Sequence, residues 1–285
     1  MSNFTMLLLL YLFMVGCNVA AIAKYNRSAT DGFAVSYAQP DAQTFSIWGV
    51  IYALLLLLVF RANALYPQAA HAMAWSFVFN GAWLLANGAA VVYDVSYWLA
   101  VWILVLYAAA LAAAYSMTSV DYLAPRPWID KLTLFAPISA NLSWVVLACL
   151  LNLTNTIMDE RVDFTQHENH TRVGGPDWAM GILGLASLLS ILNAWTRSDV
   201  VYSAVTVWAL LGVSRAQTAG HGFPHVVNDA LKQFADQAAV AVGVMSLLGV
   251  AVRWLGWWTS AFETPANALT AYEDGAKQGY VAFKA

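Results

Sequence analysis

Three short stretches place amide and indole side chains on single helical faces. "FSIWGVIY" sets Trp48 and Tyr52 four residues apart. "FVFNGAWLLANG" sets Asn80, Trp83 and Asn87 at i, i+3 and i+7. "NLSWVVLACLLN" sets Asn141, Trp144, Ala148 and Asn152 at i, i+3, i+7 and i+11. Residues at these intervals share one side of an α-helix. Aromatic rings there can stack on a flat molecule, while Asn amides and a Tyr hydroxyl bond its polar edge. The same groups can instead bind helix to helix, the amides paired and the indoles packed between them. Interhelical amide bonds are common, so spacing alone ranks mutual helix bonding ahead of a ligand cavity.

Other chemistry is poorly supported. "HENH" (His167, His170) and "HGFPH" (His221, His225) resemble fragments of metal sites, but each lacks a third ligand. Pro224 also breaks helical spacing in the second. Cys17 and Cys149 both fall in apolar runs and form neither a disulfide framework nor a zinc pattern. Charged residues cluster at span ends and in loops, with Arg215 and Asp236 coming nearest to exceptions. Ion-driven pumps place carboxylates, His or Arg along the ion path, so this distribution argues against one. No titratable pair is set for acid–base work, and the expectation is a protein that is not an enzyme. A net charge of −3 with no basic block excludes nucleic acid as a natural partner.

The elements that must position these faces are membrane helices. The 285 residues are 61% hydrophobic and only 10% charged, against about 25% charged in an average soluble domain. A bilayer span needs roughly 20 mostly apolar residues, and eight such stretches can be drawn, near 5–23, 45–64, 72–93, 96–117, 132–154, 178–195, 199–217 and 233–256. The fold expected is an all-α polytopic membrane bundle. "MSNFTM" lacks the basic start of a signal peptide, so the first stretch reads as a retained helix. An Asn facing lipid is costly, so the amide faces should point inward. Trp128, Trp178, Trp195, Trp254, Trp257 and Trp258 lie near span ends and read as interfacial anchors, while Trp98 and Trp102 suit lipid or a neighbour equally. Lys and Arg divide seven to six between the two sides, too evenly to orient the chain. Asn169 in "NHT" is a glycan acceptor if its loop is lumenal.

The spaced motifs resemble the translocator protein family (TspO/MBR). That family carries Trp–x3–Tyr in its second helix, Asn–x2–Trp in its third and Trp–x3–Ala–x3–Asn in its fifth. Here those positions are Trp48 and Tyr52, then Asn80 and Trp83, then Trp144, Ala148 and Asn152, each in the correspondingly ordered span. "APISANLSW", with Pro137 and Trp144, and "RSDVVYSAVTVWALLGVSRAQ" (197–217) look closest to a longer branch known as tryptophan-rich sensory proteins. The chain departs from short members in having only Pro40 and "DAQT" before Trp48, where they are proline-rich. Spans six to eight have no counterpart in those short members.

The resemblance implies a five-helix bundle over 1–154, a polar loop over 155–177, three additional helices over 178–256 and a polar tail over 257–285. It implies a flat hydrophobic ligand, such as a tetrapyrrole or sterol, and it turns the balance toward a cavity lined by Trp48, Tyr52, Asn80, Trp83, Asn87, Trp144 and Asn152. Expected partners are the bilayer, that small molecule, and a second copy or a larger membrane complex. Two other roles remain open on the sequence. One is a structural accessory subunit; the other is a facilitative carrier, although no convincing repeat joins spans one to four with five to eight.

Overall fold

The computed structural model describes residues 2–25, 36–93, 96–161, 173–218 and 227–263. The two His pairs, the Asn169 sequon and the tail beyond 263 lie outside them. Among the described residues there is no strand, and eight helices carry the fold. They are α1 (Asn3–Tyr25), α2 (Ile47–Phe60), α3 (Pro67–Tyr93), α4 (Trp98–Met117), α5 (Ala136–Arg161), α6 (Pro176–Arg197), α7 (Val200–Ala216) and α8 (Asp229–Glu263). Six helical stretches are long and apolar enough to cross a membrane, so the chain is an integral multi-pass protein. Of the other two, α3 has 27 residues but is diluted by Gln68, His71, Asn80 and Asn87, and α7 is apolar but only 17 residues long.

Local chemistry sets the helix ends. Asp41 caps a 3₁₀ turn, Ala42–Ser46, by accepting the Thr44 backbone N–H, and that turn feeds directly into α2. A short turn at Trp128–Asp130 and a widened π turn at Lys131–Phe135 lead into α5. Pro176 opens α6, where its missing N–H costs no helical bond. Ser198 in the left-handed region ends α6, and Asp199 starts α7 by accepting the Tyr202 N–H at 2.9 Å. Helix α5 continues to Arg161, past the end expected near 154, and the Thr154 hydroxyl within it is satisfied by the Leu150 carbonyl.

Helix α5 is the spine. Its apolar window is 78% buried, whereas the other five candidate spans are 22–39% buried. It contacts α2 and α4 of the first group and α7 of the second, so α1–α4 and α6–α8 flank it. Helix α1 packs on α3 with Leu7 and Met14 fully buried. Helix α8 turns Val240, Val244, Leu247, Val252 and Leu255 outward, a face suited to lipid chains. At one end of the bundle, Arg61 pairs with Asp130 at 2.7 Å and Arg253 with Asp121 at 2.8 Å. At the other end, Arg215 pairs with Asp41 at 2.9 Å.

Two of the Trp residues expected at the interface have further contacts. Trp128 is 72% exposed, as an anchor should be. The Trp195 indole instead donates to the Met245 carbonyl at 2.9 Å and lies over Gly249, where a Cβ would come within 2.6 Å of its ring. Trp178 donates to the Thr154 hydroxyl at 3.0 Å, tying the start of α6 to α5. Trp102 is 63% exposed, on the outer side of α4.

Candidate functional site

Helices α2, α3 and α5 bring four of the sequence-selected aromatic rings together. Trp48 and Tyr52 stand one turn apart on α2, their ring centroids 5.4 Å apart. Trp48 meets Trp83 of α3 at 6.4 Å, tilted by 31°, and meets Trp144 of α5 edge to face at 6.2 Å. Phe45, from the turn before α2, closes on the Trp144 ring at 5.7 Å, again edge to face. These separations lie in the range where aromatic pairs attract beyond simple area burial. Trp144 is buried, while Trp48, Tyr52 and Trp83 are half-buried, each keeping part of its surface accessible.

A chain of hydrogen bonds runs from Tyr52 through each of α1–α5. The Tyr52 hydroxyl donates to Asn18 Oδ1 of α1 at 2.6 Å. Asn18 Nδ2 donates to Asn80 Oδ1 of α3 at 3.1 Å. Asn80 Nδ2 donates to the Tyr107 hydroxyl of α4 at 3.1 Å, and that hydroxyl donates to Asn141 Oδ1 of α5 at 2.8 Å. Every donor points the same way along the chain. Such aligned groups polarise one another in a low-dielectric interior. Asn80, Tyr107 and Asn141 are fully buried.

Two donors at this site have no hydrogen-bond partner among the described residues. They are Trp83 Nε1 and Asn141 Nδ2, both buried atoms. A buried unsatisfied donor is costly, and in native proteins it calls for a bound water, a ligand or a strained design. Asn141 ends the chain: its Oδ1 accepts from Tyr107, and its Nδ2 meets no acceptor among the described residues.

The remaining predicted residues stand apart from the cluster. Asn152 donates its amide to the Ala148 carbonyl of its own helix at 2.9 Å and joins no interhelical bond in this chain. Asn87 is half-buried on α3 and likewise takes no part in it. Spacing alone did not single out Asn18 or Tyr107, which the chain requires. Each is one of few polar side chains in an apolar helix, and Tyr11 with Asn18 at i and i+7 on α1 was the available signal. Among the described residues, no group of three His, Cys, Asp or Glu comes together to hold a metal.

A second feature opens between α5, α6 and α7. It is a crevice bordered by Ser143, Trp144, Leu147, Leu183, Tyr202 and Thr206, with about 10 Å³ of room for the centre of a guest. That is space for about one water molecule. Trp144 therefore presents one part of its surface to the ring cluster and another to the second group of helices.

A helical bundle with apolar exteriors and an aromatic–amide interior defines a multi-pass membrane protein. The family model described as TSPO-like protein matches residues 3–253, and the chain belongs to that family. The match runs from α1 into α8, so the C-terminal helices are part of the family unit. No curated protein and no solved structure matches the chain.

Proposed function

We propose that this TSPO-type membrane protein binds a flat hydrophobic molecule, tetrapyrrole-like or sterol-like, against the rings of Trp48, Trp83 and Trp144, for sensing or transport. The observation that carries this reading is the unpartnered Trp83 indole N–H beside Trp48, the ring that meets Tyr52, Trp83 and Trp144 from three helices. A ligand with an acceptor on its edge would stack on the half-buried indoles and satisfy that donor. Tyr52 gives its proton to Asn18 and faces the Asn80 amide, so its hydroxyl anchors the floor of the site while its ring meets Trp48. Asn87 and Asn152 belong to the wider lining in this reading, reached only by a large ligand.

The test is titration of purified protein with protoporphyrin IX, following the porphyrin absorption band and Trp quenching together. Saturable binding, weakened in Trp83→Phe and in a Trp144→Phe, Asn80→Ala double variant, is the expected result. Binding that is unchanged in both variants would remove the site from this reading.

A second reading has a specific observation in its favour. The amides grip one another and the rings touch, which is also how a purely structural subunit would be glued together. Stoichiometric partners co-purifying in mild detergent, with no porphyrin binding by the wild type, would select that role instead.

A further inference from the structure

We infer that α7 latches the segment before α2 down over the ring cluster, and that Arg215 is the positioning residue of this latch. The claim that the latch controls ligand access rests on the proposed binding of a flat ligand; the latch itself rests on contacts alone.

Residues 36–46 carry Phe45, whose ring covers the edge of Trp144. Apart from one 3₁₀ turn this stretch has no regular structure, so its place is set by what holds it from outside. The holders come from the C-terminal helices. The Asp41 carboxylate accepts Arg215 Nε at 2.9 Å and Arg215 Nη2 at 3.3 Å, and Arg215 Nη2 also donates to the Thr44 hydroxyl at 3.0 Å. Trp208 Nε1 donates to the Thr44 carbonyl at 2.9 Å, and the Asp41 N–H donates to the Gly212 carbonyl at 3.1 Å. Gln217, at the end of α7, donates its amide to the Tyr37 carbonyl at 3.0 Å.

Trp208, Gly212 and Arg215 fall at i, i+4 and i+7, one face of α7. That face is shaped for the segment. A Cβ on Gly212 would collide with the Thr44 side chain, so the glycine makes the room into which Thr44 fits. The Arg215 guanidinium lies 5.6 Å from the Trp208 ring centre, stacked where its planar fork can meet the carboxylate with two donors. Asp41 is nearly fully buried in return, its side chain only 6% exposed. The charge near a span end, unusual in the sequence, thus fixes a loop from the first helical group against a helix of the second. A ligand reaching Trp144 past Phe45 must displace this segment and so must open the Asp41–Arg215 pair.

The experiment uses the full chain in phosphatidylcholine nanodiscs, comparing wild type with Arg215→Lys and Arg215→Met. Backbone hydrogen exchange reads the latch without any ligand. In Arg215→Met the amides of Asp41 and Thr44 should lose protection by at least about tenfold, the scale of a charge-assisted hydrogen bond, whereas the Tyr37 N–H, which donates to the Gly174 carbonyl at 3.0 Å, is held separately. Arg215→Lys, which keeps the charge but not the fork, should fall between. The amides of α3 and α4 should not change. Unchanged protection at Asp41 and Thr44 overturns the latch, as does an equal loss spread through α6–α8, which would make Arg215 a general fold contact. Stopped-flow mixing with protoporphyrin IX then reads access, and both association and dissociation should quicken in Arg215→Met. Unaltered rates with a freed segment would overturn the gating role. A wild type that never binds porphyrin would instead overturn the binding reading, leaving the exchange result to decide the latch.

Discussion

The hydrogen-bond chain through α1–α5 makes a quantitative prediction that separates a connected network from a row of independent bonds. Tyr52→Phe removes one bond, the hydroxyl donation to Asn18 at 2.6 Å. Tyr107→Phe removes two, one accepted from Asn80 at 3.1 Å and one donated to Asn141 at 2.8 Å. Interhelical bonds in membranes average about 0.6 kcal/mol and reach about 1.7 kcal/mol. Tyr52→Phe should therefore cost about 0.6–1.7 kcal/mol. Tyr107→Phe should cost more, about 1–3 kcal/mol, since it also strands the Asn80 donor and the Asn141 acceptor in a dry interior. The two hydroxyls do not bond each other; Asn18 and Asn80 stand between them. Each hydroxyl fixes which way its neighbouring amide turns, and the amide's two ends are not equivalent. The double variant should then depart from the sum of the singles by at least about 0.5 kcal/mol, the level that marks coupled residues. Reversible unfolding in mixed micelles, followed by far-ultraviolet circular dichroism, gives all three values. Additivity within about 0.3 kcal/mol would refute the connected chain and leave five helices joined by separate bonds.

Three further outcomes are expected. The Asp41 carboxyl is held below the usual carboxylate range: burial pushes it up, but hydrogen bonds from Arg215 and Thr44 and the Arg215 charge outweigh that push. A depressed folded value means the latch is complete above the ordinary Asp pKa of about 3.9 and is lost only as pH falls through the lower one. Protection factors at Asp41 and Thr44 should stay flat from neutrality to about pH 4, and a collapse near pH 6 would contradict the pairing. Asp199→Ala removes the α7 cap and one acceptor of the Tyr115 hydroxyl, whose other acceptor, Asn193 Oδ1, remains at 3.2 Å; the micelle unfolding assay should show a loss of about 1–2 kcal/mol. Gly249→Ala forces a Cβ toward Trp195 Cδ1 and should cost about 1–3 kcal/mol by overpacking in the same assay, with Trp195→Ala in the same background relieving part of it.

The inner faces were legible because the physics behind them is local. Indoles and amides are expensive against lipid, so their spacing along α2, α3 and α5 shows which side of each helix turns inward. That logic located Trp48, Tyr52, Asn80, Trp83 and Trp144 on facing surfaces. It missed Asn18 and Tyr107, because it followed indole–amide spacing, whereas α1 offers Tyr11 with Asn18 and α4 offers Tyr107 with Tyr115, without a Trp–Asn pair on either face. It also could not distinguish Asn141 from Asn152 on the same stripe. One reaches across to Tyr107, while the other turns back to the Ala148 carbonyl, a choice set by neighbouring helices. The apolar stretch drawn near 132–154 marks the membrane part of α5, and the helix itself runs on to Arg161. The latch was the least legible. Arg215 stood out as a charge near a span end, but Asp41 lies 174 positions away in what reads as an ordinary loop.

The length of α7 explains why the latch belongs there. Its 17 residues, rising 1.5 Å each, extend for only about 26 Å, less than the roughly 30 Å of a bilayer core. A helix that short is at the lower limit for a span, and its last two turns meet the segment before α2, Gly212 at Asp41 and Gln217 at Tyr37. Two features of α7 are unfavourable if that helix is considered by itself. A helical glycine costs about 1 kcal/mol relative to alanine, and an arginine near the apolar zone is costly to desolvate. Both become favourable only with the segment docked, since Gly212 then admits Thr44 and Arg215 then meets a buried carboxylate. The local costs and the long-range contacts coincide on one helical face. An α7 shaped only by lipid and by α8 would carry alanine and a neutral side chain at those two positions, so a Gly212→Ala, Arg215→Leu variant should keep α6–α8 folded while Asp41 and Thr44 lose their exchange protection.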